Sequence, residues 1–169
     1  MTSSVKKLLA AIFAVIVVVP ALAQAQATPD LSGLWTVDAA KSAPGLGPSP
    51  MPAGGRGDGS VTLAANQILV TQTPAELTIA QGVRAAVYKL DGTENWSPSL
   101  KSTATWTNGT LTITWKREIY LGPRAGQGAF ETQTGTDIYS VTGNVLTIEK
   151  TITTPKGTQT GKVVYTKSS

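Results

Sequence analysis

The chain has 169 residues, 41% hydrophobic and only 14% charged, with no cysteine and no histidine. Those two absences exclude Ser-His-Asp and Cys-His nucleophilic sites, histidine metal centres, thiolate chemistry and a disulfide framework. The formal net charge of +4, from 14 Lys and Arg against 10 Asp and Glu, falls short of the clustered basic face of a nucleic-acid binder, so no nucleic-acid partner is expected.

The N-terminus reads first as an address. Lys6 and Lys7 precede twelve apolar residues, Leu8 to Val19, followed by Pro20 and the small-residue triplet Ala21, Leu22, Ala23. That order is a secretory signal peptide. The apolar run is shorter than the roughly 20 residues needed to span a bilayer, and a proline closes it. A signal-peptide helix over residues 1–23, cleaved after Ala23, is therefore expected. Ala25, Gln26, Ala27 offers a second cut after residue 27. Contact with a membrane is expected only through this segment before cleavage, and the expected location is periplasmic or secreted. The leader takes Lys6 and Lys7 with it, leaving 146 residues of net charge +2. That length suffices for one domain burying about two thirds of its unfolded surface.

The remainder, 28–169, reads as a single all-β domain. Residues 42–60 are Gly, Pro, Ser or Ala at 15 of 19 positions. Such a stretch buries too little to offset its ordering entropy, so a flexible loop is expected there. Its Arg56, Gly57, Asp58 is a tripeptide that some adhesion receptors recognise, read here as a chance occurrence in a Gly-rich loop. A turn of helix fits Val61 to Asn66. Elsewhere, short runs rich in Thr, Val, Ile, Leu and aromatics alternate with turn residues about every ten positions, the pattern of an antiparallel meander. It predicts strands near 31–38, 67–73, 76–81, 84–91, 100–107, 110–118, 130–141, 144–153 and 158–167.

Two hairpins fix register. Asn108 and Gly109 fill a two-residue type I′ turn, which sets Thr107 against Thr110 and Trp106 against Leu111. One face of that ribbon then carries Ser102, Ala104, Trp106, Leu111, Ile113 and Trp115, and the other carries only threonine: 103, 105, 107, 110, 112 and 114. Threonine suits a solvated sheet surface through its β-branching; the sharper alternative is a binding surface for a flat ordered ligand such as ice or a glycan. Around Gly143 and Asn144 the same counting sets Val141 against Leu146, Tyr139 against Ile148 and Asp137 against Lys150. That last pair is either an ion pair near the open end of the sheet or a polar anchor inside a ligand cavity.

Asp30, Leu31, Ser32, Gly33, Leu34, Trp35 resembles the Gly-x-Trp signature that opens the first strand of lipocalins and other calycins, where the tryptophan closes the base of the barrel. Thr136, Asp137, Ile138, Tyr139 is similar to their second motif, although here it falls inside a predicted strand rather than a loop. Their third motif, an arginine covering the tryptophan, has no counterpart: no arginine follows Arg124, and only Lys162 or Lys167 stands in its place. Over residues 29–52 and 66–167 the chain also resembles a set of uncharacterised exported bacterial proteins. That likeness rests on Leu31 to Ser42, the Gly-rich loop, Tyr88, Lys89, Leu90, Asp91, Gly92, and Thr151 to Lys167. Together these resemblances imply an up-and-down meander of about eight or nine strands closing into a calycin-like barrel. They imply no activity.

Among acids, only Glu94, Glu118, Glu131 and Asp137 are candidates for a two-carboxylate hydrolase, and no spacing singles out a pair. The expectation is a non-enzymatic protein with no cofactor and no metal. In the leading reading the barrel holds a small apolar ligand, met by Tyr88, Trp115, Asp137, Tyr139 and Lys150. In the alternative it is a structural or interaction module of the cell envelope that recognises a protein or surface glycan through Trp96 and the 42–60 loop. Trp96 lies in the turn-rich stretch Asp91 to Pro98, where it serves either as a lid on the barrel end or as a sugar-stacking platform.

Overall fold

The computed structural model describes residues 28–43, 54–56, 63–122 and 129–168. The expected signal peptide and nearly all of the 42–60 loop, including Gly57 and Asp58, lie outside them. Among the described residues, eleven strands form one antiparallel sheet: β1 (Gly33–Val37), β2 (Gly54–Arg56), β3 (Gln67–Gln72), β4 (Glu76–Gln81), β5 (Arg84–Lys89), β6 (Asn95–Ser97), β7 (Leu100–Thr107), β8 (Thr110–Tyr120), β9 (Phe130–Thr142), β10 (Val145–Thr154) and β11 (Gly157–Lys167). Nine of these are the strands the alternation predicts. The other two, β2 and β6, are three residues each. The segment before β3 is a tight turn rather than helical: the Gln67 N–H donates to the Ala64 carbonyl at 2.9 Å, and Ala65 and Asn66 form the bend between them.

Turn chemistry sets the registers. Asn108 and Gly109 both have positive φ, 50° and 76°, as a type I′ turn demands, and Thr107 pairs with Thr110 and Trp106 with Leu111. The second hairpin pairs Val141 with Leu146, Tyr139 with Ile148 and Asp137 with Lys150.

The sheet order is β2-β5-β4-β3-β1-β11-β10-β9-β8-β7-β6. From β3 to β5 and from β6 to β11 it is a meander; β2 lies beyond β5 at the edge, and β1 inserts between β3 and β11 and so joins the two runs. Nine strands, β5 round to β7, curl into a nearly closed barrel, and β5 comes into packing contact with β7. Nine is odd. Antiparallel pairing round the ring therefore leaves β5 and β7 running in the same direction, and this seam carries no ladder. Across it, the Lys89 N–H donates to the Asn95 side-chain carbonyl at 3.3 Å.

Closure turns every second residue inward, and one contiguous core results, contributed by β1, β3–β5 and β7–β11. Trp35 plugs one end and is fully buried, its indole N–H donating to the Leu31 carbonyl at 2.9 Å. The Lys167 Nζ lies 5.4 Å from the Trp35 ring centroid. Lysine thus occupies the position over the tryptophan face and contributes a cation–π attraction there. Gly33 makes room for it, because a Cβ at that position would stand 2.5 Å from the Lys167 Cε. Outside the barrel, Val164 is also buried, beneath residues 38–43: its N–H donates to the Ser42 Oγ at 3.0 Å and the Ala43 N–H donates to the Lys162 carbonyl at 2.8 Å.

Replacing Trp35 by Ala removes the largest fully buried side chain and is expected to cost about 3–5 kcal/mol, whereas Lys167→Ala removes only the cation–π contact, about 0.5–1 kcal/mol. Urea titration of the two variants followed by circular dichroism checks the ranking.

Candidate functional site

The residues expected to meet an interior ligand all point inward and all are buried. Tyr88 on β5 faces across the barrel to β9, where Asp137 and Tyr139 stand two positions apart; Lys150 on β10 is the ladder partner of Asp137. Asp137 is 1% exposed and Lys150 5% exposed, so the pair lies within the barrel wall's inner layer rather than at an open end of the sheet. Burial pushes the Tyr88 and Tyr139 hydroxyls well above the usual phenol range, and the Asp137 carboxylate adds to the effect in both. Tyr165 on β11 shows the same upward shift from the same two causes. Desolvation draws the Lys150 ammonium below its ordinary value, while Asp137 opposes that shift.

The structure thus gathers four of the five expected residues, Tyr88, Asp137, Tyr139 and Lys150, into one electrostatic neighbourhood. It adds Tyr165, which the sequence reading placed in a strand without singling it out. The signal was available: Tyr165 shares the inward alternation of Val163 on β11 and faces Leu146. Trp115 sits apart from them, with its indole against Gly135, its ladder partner on β9. Gly135 has no side chain to block this approach, and a Cβ there would collide with the Trp115 ring. The Trp115 Nε1 and the Ser102 Oγ are buried with no hydrogen-bond partner among the described residues.

The outer wall is different in character. Because the ladders are in register, outward side chains align in rows perpendicular to the strands. One row runs Thr103, Thr114, Thr136, Thr151, Thr160, one threonine on each of β7 to β11. The next runs Lys101, Lys116, Thr134, Thr153, Thr158. Between the two rows, from β7 to β10, lies a groove of about 380 Å³ that Ser102, Trp115 and Gly135, on the row between them, also line. Thr103 and Thr114 share a hydrogen bond of 2.7 Å, and Thr153 and Thr158 one of 3.0 Å. Each hydroxyl keeps further lone pairs for a ligand.

A second cavity of about 500 Å³ adjoins the first at Glu94, Lys101 and Lys116 and is walled by Trp96, Pro98, Leu100 and Glu118. Trp96 is 68% exposed. It stands on β6 and points outward, beside the wall rather than over the barrel end. The Lys101 Nζ lies 3.2 Å from the Glu94 carboxylate, both side chains about half exposed. Neither described cavity is lined by Tyr88, Asp137, Tyr139 or Lys150.

No protein-family model, curated protein or solved structure matches the chain.

Two expectations follow for the interior cluster. Asp137→Ala leaves Lys150 as a buried charge without its ladder partner and is expected to cost about 3–5 kcal/mol, with much of the loss recovered when Lys150 is also made apolar, as in Asp137→Leu with Lys150→Met. Denaturant unfolding of the two single variants and the double variant measures this coupling. The raised tyrosines give a pH dependence of definite sign. Their folded values lie above the ordinary 10, so their contribution to stability is complete below about pH 10 and is lost as the pH rises beyond it, when the unfolded chain ionises first. An alkaline titration should show three of the four tyrosinates appearing together with loss of the fold, read as absorbance at 295 nm against circular dichroism.

Proposed function

We propose that this chain is an exported, non-enzymatic β-barrel module of the cell envelope that binds a glycan on its outer wall, in the groove beside Trp96. The observation that carries this reading is the joining of the two outer cavities at Glu94, Lys101 and Lys116, with an exposed indole walling the second of them. A sugar ring offers an apolar C–H face and a rim of hydroxyls that both donate and accept. An indole supplies the stacking surface for the first, and threonine hydroxyls supply donors and acceptors for the second. The twist that closes a barrel removes the planarity an ice surface requires, which favours the glycan among ordered ligands.

Export is supported by Lys6, Lys7 and the short apolar run that ends at Pro20. Glu94 and Glu118 both border the Trp96 cavity, but both are exposed and Glu94 is engaged by Lys101. They lack the burial that equips a glycosidase's general acid, which supports binding over hydrolysis. The competing reading, a small apolar ligand inside the barrel, requires room among Tyr88, Tyr139, Asp137 and Lys150, all of which are covered by protein atoms.

The deciding experiment is glycan titration followed by tryptophan fluorescence, with product chain length checked by mass spectrometry. Trp96→Ala is expected to weaken binding by about tenfold or more while leaving the urea midpoint unchanged, because the residue contributes little to the core. Shortened glycan would overturn the non-enzymatic reading. A stoichiometric small molecule that survives native mass spectrometry of the protein from its own cells and departs on denaturation would move the site to the interior.

A further inference from the structure

We infer that the occupant of the outer groove is an acidic polysaccharide laid across the strands, with a carboxylate held between Lys101 and Lys116. The inference rests on the glycan-binding reading and goes further, to the charge and direction of the chain.

Direction follows from the lining. The groove walls are two consecutive ladder rows, Thr103, Thr114, Thr136, Thr151 on one side and Lys101, Lys116, Thr134, Thr153 on the other. Their long axis is therefore perpendicular to the strands. Four strands give three interstrand spacings, about 14 Å, and the Trp96 cavity opens from the groove on the other side of the Lys101–Lys116 pair, toward Leu100 and Glu118. An extended oligosaccharide of several rings fits a track of that shape; a single sugar leaves most of it empty.

Charge follows from one juxtaposition. Lys101 and Lys116 are direct ladder partners on adjacent strands, and both point outward and are exposed. Like charges directly opposite each other oppose pairing of the strands. Lys101 shares its charge with Glu94 at 3.2 Å, whereas Lys116 has no ion pair closer than 4 Å among the described residues. Glu118, two residues along β8, is the other carboxylate bordering the Trp96 cavity, and it does not enter the threonine groove. There, two lysines face one glutamate. A carboxylate seated between the lysines relieves their repulsion and makes charge-assisted hydrogen bonds; a neutral sugar at the same place leaves the repulsion intact. The other six wall positions, Thr103, Thr114, Thr136, Thr151, Thr134 and Thr153, are uncharged threonines, suited to the hydroxyls between successive acid groups.

The test is calorimetric titration of the purified protein with galacturonate, glucuronate and mannuronate oligomers of increasing length and with their methyl esters, at low and at high salt. Acidic oligomers are expected to bind, more tightly with length until the groove is filled and more weakly at high salt. The esters and the Lys116→Gln variant are each expected to lose about tenfold, and Lys116→Arg, which keeps the charge, to retain binding. Acid and ester binding equally, with Trp96→Ala losing both, overturns the acidic ligand and leaves the glycan-binding reading standing. Binding of no glycan, acidic or neutral, takes both down.

Discussion

The barrel depends on a single strand being held from both sides. β1 is only five residues long, yet it carries the hydrogen bonds that connect β3 to β11, and without it the sheet falls into two ladders, one from β2 to β3 and one from β11 to β6. Its hold comes from Trp35. The indole fills the end of the core, its N–H is satisfied by Leu31, and the Lys167 ammonium lies over its face. Beyond the strand, the Ser168 N–H donates to the Leu34 carbonyl and the Thr36 and Ser168 hydroxyls meet at 2.8 Å. Hydrophobic burial, one buried hydrogen bond and one cation–π contact thus converge on a single side chain, and the closure of nine strands follows from it.

Once closed, the period of two does the rest. Each strand has one inward and one outward set, so interior and exterior specialise independently. The interior gathers aromatic and aliphatic bulk around one opposed acid and base, a costly arrangement to desolvate. The exterior gathers threonine. The odd number of strands puts a same-direction junction between β5 and β7, and the chain crosses it with β6 rather than with a ladder. It is this crossing that brings Trp96 out onto the wall beside Lys101.

Much of this was legible in the residues. Asn108-Gly109 alone fixed a register, and with it the split between threonine and apolar faces; counting outward from Gly143 and Asn144 placed Asp137 opposite Lys150. What sequence could not supply was the relation between strands distant in the chain. Tyr88 and Asp137 are 49 positions apart, and nothing local says that they share one interior. The threonine pattern of one hairpin was visible, but its continuation through Thr136, Thr151 and Thr160 needs three further registers. The two missed strands are three residues each, too short for alternation to be seen. The absent arginine argued against a cap on Trp35, yet Lys167 supplies one, because the neighbouring position is a glycine and leaves a path for a lysine stem.

The placement of β1 also orders events in time. Its two neighbours are β3, made soon after it, and β11, made last. A chain emerging N-terminus first can assemble β3 to β5 and then the long hairpins as it goes, but the seat of Trp35 stays incomplete until residues 165–167 arrive to pair with 35–37. Non-local pairing of this kind is slow to form. The domain is therefore committed to its folded state only when its whole length is free, so the completed barrel is itself a record that synthesis reached the final strand.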